Sequence, residues 1–137
     1  MVISKQNLED NFFITQNSKE EIVSAIIYEL TLETATITTI KNNLGFVRLS
    51  EDIFDQVERE LRNIFRTRKN RKKIIMGYDH KLHPISELAI YYNALGIINF
   101  LRRNIKDSFK LFNKALNFLC VYEAPLINLS LATQTMA

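Results

Sequence analysis

The sequence predicts a mainly α fold in a single small domain, and three observations carry that prediction. Its 137 residues include only three glycines and two prolines, too little punctuation for a many-turned β-sandwich or a Gly-rich phosphate loop. Apolar residues recur at steps of three and four in several separate stretches, the period of a helix with one buried face. Ser18 and Ser50 each precede carboxylates in the pattern of a helix start. A hydrophobic fraction of 47% beside 24% charged residues suits one folded core and excludes a disordered or fibrous chain.

Residues 1–17 are read as an N-terminal arm anchored by Phe12 and Phe13, turning acidic at Glu9 and Asp10 without the apolar run of a secretory signal. Ser18-Lys19-Glu20-Glu21 places an acceptor at the N-cap and a glutamate three residues on, so each side chain satisfies a free amide of the other. The helix that follows buries Ile22, Val23, Ile26, Ile27 and Leu30 and runs to about Leu32.

Two readings of residues 34–49 stay open. β-Branched Thr34, Thr36, Ile37, Thr38, Thr39 and Ile40, with turn chemistry at Asn42, Asn43 and Gly45 and then Phe46-Val47-Arg48-Leu49, suit a short β-hairpin. A helix with a tight turn at Asn43-Leu44-Gly45 competes, because a lone hairpin is marginal unless it packs on something.

Ser50 caps the clearest helix, with Glu51 and Asp52 at the positive end of its dipole and Ile53, Phe54, Val57, Leu61, Ile64 and Phe65 on one face. The pattern gives way to a basic run and Ile74-Ile75-Met76, with Gly77 ending or bending the helix and 79–84 a loop. The chain thus divides into 18–76 and a second part, 84–137. In that part a helix from about Ser86 is apolar on most sides, which calls for neighbours on more than one face. A polar turn at Arg102-Arg103-Asn104 leads to a helix from Ile105 that buries Phe109, Phe112, Leu116 and Leu119, completing an antiparallel helical hairpin. Leu126, Ile127, Leu129 and Leu131 form a short tail able to start another helix.

Tyr92-Asn93-Ala94-Leu95-Gly96, followed by Ser108, Phe112 and Ala115, resembles a single tetratricopeptide (TPR) repeat within residues 88–122. In that reading Gly96 lets the partner helix approach closely, and Ser108 and Ala115 keep the second helix slim where the two cross. Asn99 stands where the repeat usually has an aromatic, Pro125 comes several residues late, and no second copy appears 34 residues earlier. The resemblance implies a helical-hairpin scaffold used for protein binding rather than for chemistry.

The sharpest local signal is charge. Arg62, Arg66, Arg68, Lys69, Arg71, Lys72 and Lys73 fall within twelve residues that contain no carboxylate, so the formal +3 of the chain hides 11 basic against 15 acidic residues elsewhere. Such a cluster can neutralise phosphates of RNA or DNA, or it can be a solvated helix end favoured by the dipole. A helix-turn-helix with Ile37–Asn43, a turn at Leu44-Gly45 and a reader from Ser50 is disfavoured by its long turn and Thr-rich first helix.

No catalytic motif occurs. His80 and His83 lie near Asp79 in an expected loop with too few further ligands for a tetrahedral metal site, and Cys120 is read as inert packing in an apolar helix. No cofactor is implied. Leu88 to Leu101 is 14 residues, against the roughly 20 needed to cross a bilayer. The single cysteine fits a reducing, cytoplasmic or other intracellular compartment. The expectation is a non-enzymatic protein-binding or assembly subunit with a protein partner or self-association, using Tyr91, Tyr92, Leu126 and Leu129 as interface residues. The alternative is nucleic-acid binding through 62–73.

Overall fold

A computed structural model describes residues 18–44 and 49–136, and these described residues form six helices and one two-stranded sheet. The expected arm with Phe12 and Phe13, and Gly45 to Arg48 of the ambiguous stretch, lie outside the described residues. Helix α1 (Lys19–Leu30) starts as expected: the Ser18 hydroxyl accepts from the Glu21 amide, and the Glu21 carboxylate accepts from the Ser18 amide.

Residues 34–49 contain helix α2 (Ile37–Leu44), so the helical alternative is the one realised and the hairpin reading of this stretch is corrected. The reason is capping at both local and long range. Thr36 and Thr39 exchange hydrogen bonds between side chains and amides at 3.0 and 3.1 Å, which turns two poor helix formers into a start signal. The Ile37 amide donates at 2.8 Å to Oδ1 of Asn128, 91 residues away. Nδ2 of Asn128 donates to Oδ1 of Asn93 at 2.8 Å and to the Ala35 carbonyl, which Asn93 also meets at 3.0 Å. Both asparagines are almost fully buried. Two buried amides thereby fix the α1–α2 connection to the C-terminal helices with every side-chain polar atom satisfied.

Helix α3 (Glu51–Arg68) is capped by Ser50 and buries Ile53, Phe54, Val57, Leu61 and Phe65. It ends at Arg68 rather than continuing to 76, and strand β1 (Lys72–Met76) pairs antiparallel with strand β2 (Leu82–Ser86), Ile74 opposite Pro84 and Met76 opposite Leu82. A two-stranded β-hairpin therefore exists, but at 72–86, replacing the expected helix extension and most of the expected loop. The connecting turn is built by Asp79, whose carboxylate accepts from the Lys81 amide, with His80 at φ 64°. Pro84 is tolerated because both strands of a two-stranded sheet are edges. Gly77 is packed where a Cβ would meet Val121 at 2.7 Å, so the turn seats on the end of the helical hairpin.

Ser86 closes β2 and caps helix α4 (Glu87–Leu101). Helices α5 (Ile105–Phe118) and α6 (Glu123–Met136) follow. The expected short tail is thus a full helix. Helix α4 is the hub: Ala89, Ile90, Ala94, Ile97 and Ile98 are buried against α2, α3, α5, α6 and β2. Close approach of α4 and α5 depends on Gly96, where a Cβ would lie within 2.6 Å of two carbons of the buried Phe112 ring, and on buried Ser108 and Ala115. The neighbours on more than one face that the apolar residues of α4 call for are thus found within the chain.

Candidate binding surfaces

The charge on α3 is ordered along its axis. Glu51, Asp55, Glu58, Arg62, Arg66 and Lys69 follow one another at steps of three and four, so one stripe carries three acids and then three bases. Arg102, at the end of α4, takes up the acids: its guanidinium donates to Glu51 at 2.7 Å, Asp55 at 2.6 Å and Glu58 at 2.9 Å, and lies over the Phe54 ring. Glu51 and Asp55 hold the Arg102 guanidinium above its already high ordinary pKa, against partial burial. In the sequence Arg102 belongs to a polar turn, and no local pattern marks a clamp whose partners lie 44 to 51 residues away.

The basic half has no such counterpart. Arg62 reaches Glu58 at 3.7 Å, and Lys73 turns to the other side of the sheet to pair with Glu33 at 2.7 Å. Arg68 lies 6.0 Å above the Phe65 ring. Arg66 bonds only to Asn63, and Arg66, Lys69, Arg71 and Lys72 form no ion pair among the described residues. The structure therefore splits the seven cations. Arg62, Arg66 and Lys69 line α3, joined by exposed Arg59, which the sequence reading passed over because Glu58 and Glu60 flank it. Arg71 and Lys72 lead into the hairpin.

The interface candidates Tyr91 and Tyr92 adjoin the α3 stripe. They continue a ladder of rings, Phe65–Tyr91–Tyr92–Phe118, with centroids 5.3, 5.8 and 6.0 Å apart. Phe65 is buried, the tyrosines are half-buried and Phe118 is 42% exposed, so the ladder runs from the core to the surface. Lys114 sits 5.1 Å over Tyr92. Burial raises the Tyr91 phenol above its ordinary range, although the neighbouring Arg62 charge pulls the other way. Leu126 and Leu129 are half-buried on α6, and Ile127 between them is exposed.

A second surface belongs to the hairpin. Ile75 and Ile85 point into the core, at 5% and 2% exposure, whereas Ile74, Met76 and Leu82 on the opposite face are 63%, 58% and 67% exposed. Tyr78 extends this patch at the turn. A cleft of about 360 Å³ separates β1 from α6, with Met76, Tyr78 and Ile127 carrying the apolar character across it and Glu33, Tyr122 and Glu123 among its polar lining. The histidines diverge: His83 lies 2.9 Å from Asp79, whose carboxyl is held below its usual range by the Lys81 amide and His83 despite some desolvation, and His80 lines the cleft. Cys120 is exposed in the α5–α6 connection rather than packed in a helix, which corrects its expected place. No helix among the described residues is long and apolar enough to cross a membrane. No protein-family model, curated protein or solved structure matches the chain.

Proposed function

We propose that this protein is a non-enzymatic binding subunit that docks a partner protein on the outer face of its β-hairpin. One observation carries the reading: three large apolar side chains, Ile74, Met76 and Leu82, stand in solvent on a strand pair whose other face packs Ile75 and Ile85 into the core. A two-stranded sheet leaves both edges and one face unpaired, and an apolar cluster of this kind marks an interaction site more often than isolated surface residues do. Lys69, Arg71, Lys72 and Lys81 surround the strands, and the one carboxylate in the turn, Asp79, is engaged by His83. The complementary partner presents an apolar ridge flanked by Asp and Glu.

A photo-crosslinking residue placed at Met76 in the native source, with nuclease present, tests this. The expected product is a protein joined through an apolar, acidic segment, lost in an Ile74→Asp, Leu82→Asp variant that keeps its Tm. Crosslinking unchanged by that variant, or none above that from a site on exposed Asn117, would overturn it. A product made of two copies of this chain would replace the acidic partner by self-association.

A further inference from the structure

We infer that the face formed by α3, α4 and α5 is a binding site for single-stranded nucleic acid, separate from the hairpin surface. Two features coincide there, each assembled from residues 52 or 53 positions apart at its extremes. The first is a set of cations: Arg62 on α3 beside Tyr91 and Lys114 on α5 over Tyr92, with Arg66 one helical turn beyond Arg62. The second is the ring ladder, which ends at the surface in Phe118, 42% exposed and stacked on half-buried Tyr92. Cations that track a phosphate backbone, interleaved with aromatic rings on which bases stack, are the two parts of a single-strand site.

The surrounding charge supports an anionic ligand. Glu51 and Asp55 are drawn onto Arg102 at the far end and Glu58 is shared between Arg102 and Arg62, while Arg66 and Lys114 form no ion pair among the described residues. The ladder also decides between strand forms. A duplex hides the faces of its bases and offers nothing to Tyr92 or Phe118, whereas a single strand exposes them. Major-groove reading is opposed by charge and by packing. The N-terminal turns of a reader helix meet the bases, and those of α3 hold Glu51, Asp52 and Asp55, while α4 shoulders its flank.

Arg62 and Arg66 take phosphates, Lys114 a third, and Phe118 with Tyr92 stacks bases without sequence preference. The test is fluorescence anisotropy of the full chain with labelled oligo(dT) and oligo(U) of roughly 16 nucleotides and with a duplex of equal length. Binding to both single strands is expected to exceed that to duplex and to fall steeply between about 50 and 200 mM salt. Arg62→Glu, Arg66→Glu and Lys114→Glu together should weaken it more than tenfold and lower the salt slope by roughly two units. Phe118→Ala, at an exposed position that spares the fold, should cost about 5- to 100-fold for single strands. The hairpin variant Ile74→Asp, Leu82→Asp should bind oligonucleotides unchanged, so loss of the docking reading leaves this one standing. Absent binding, equal or tighter duplex binding, or indifference to the charge reversals or to Phe118→Ala in variants of unchanged Tm and circular dichroism would overturn the inference.

Discussion

Replacing Gly96 by alanine sets two effects of known size against each other. In a helix interior the change ordinarily stabilises by about 1 kcal/mol, because alanine loses less backbone freedom. Here the new methyl would come within 2.6 Å of two Phe112 ring carbons. Carbon atoms settle at about 3.5 Å or more, so ring or helix must retreat by roughly 1 Å. Phe112 is fully buried, between Ser108 and Ala115 at 0% exposure, and has no free side to move into. Overpacking of this kind costs about 1–3 kcal/mol, enough to reverse the propensity gain. The expected result is a net loss of up to about 2 kcal/mol, or up to roughly 8 °C in Tm for a chain of this length. Urea denaturation with a double-mutant cycle isolates the cause: Phe112→Leu destabilises alone, but the pair should be milder than the two changes added, by about 1 kcal/mol. A Gly96→Ala protein more stable than the parent, or strictly additive changes, would refute the claim that Gly96 sets the α4–α5 spacing.

Asn128→Ala should cost about 2–4 kcal/mol, since it strands the Ile37 amide, the Asn93 Oδ1 and a bond to Ala35 in the core; exchange of the Ile37 amide hydrogen should accelerate with it. Ile75→Asp should prevent folding while Ile74→Asp leaves Tm within about 1 °C, a contrast that circular dichroism reads and that a register shift of one residue would invert. Burial pushes the Tyr122 phenol far above its ordinary range, so the fold is fully stabilised below the unfolded value near ~10 and loses stability as pH rises past it. Tyr122→Phe should forfeit about 1 kcal/mol at neutral pH through the lost bond to the Glu33 carbonyl, and flatten the alkaline decline in thermal melts. Arg102→Met should cost about 1–3 kcal/mol by leaving three carboxylates facing one another, with part of the loss recovered at high salt.

What the sequence disclosed follows from how far apart the causes lie along the chain. Helices α1, α3 and α4 were legible because cap and apolar period sit together, as at Ser18 with Glu21 or Ser50 with Ile53. Helix α2 was ambiguous because half of its start signal, Asn128, lies 91 residues away, where no local pattern points to it. The hairpin was hidden for a different reason: the cations before Ile74-Ile75-Met76 obscured a period of two, and Pro84 argued against a strand that is acceptable only as an edge. The basic cluster was plain as composition. Its division into an α3 stripe and a hairpin rim was not, nor was the approach of Tyr92 to Lys114, a contact between residues 22 positions apart that only the helical hairpin creates.

The cations of 62–73 exceed what folding asks of them. Lys73 holds the α1–α2 connection through Glu33, Arg68 covers the Phe65 ring, and Arg62 pairs weakly with Glu58. Complementing the dipole at the end of α3 is worth about 0.3–1 kcal/mol, and one or two charges in the last turn secure it. Arg66, Lys69, Arg71 and Lys72 then add mutual repulsion in the free protein, at about 0.2–0.5 kcal/mol for each close helical pair. Their free-state effect is unfavourable, which is the physical ground for proposing an anionic ligand. The acids that would quench them along the same stripe are drawn off by Arg102, a residue whose bonds both fasten α3 to α4 and keep the basic end exposed to a ligand. Fastening α3 to α4 and leaving its basic end largely unpaired are thus one arrangement, and the two proposed surfaces diverge at the end of α3: the anionic one toward Arg66 and the ring ladder, the apolar one toward Ile74 and Leu82.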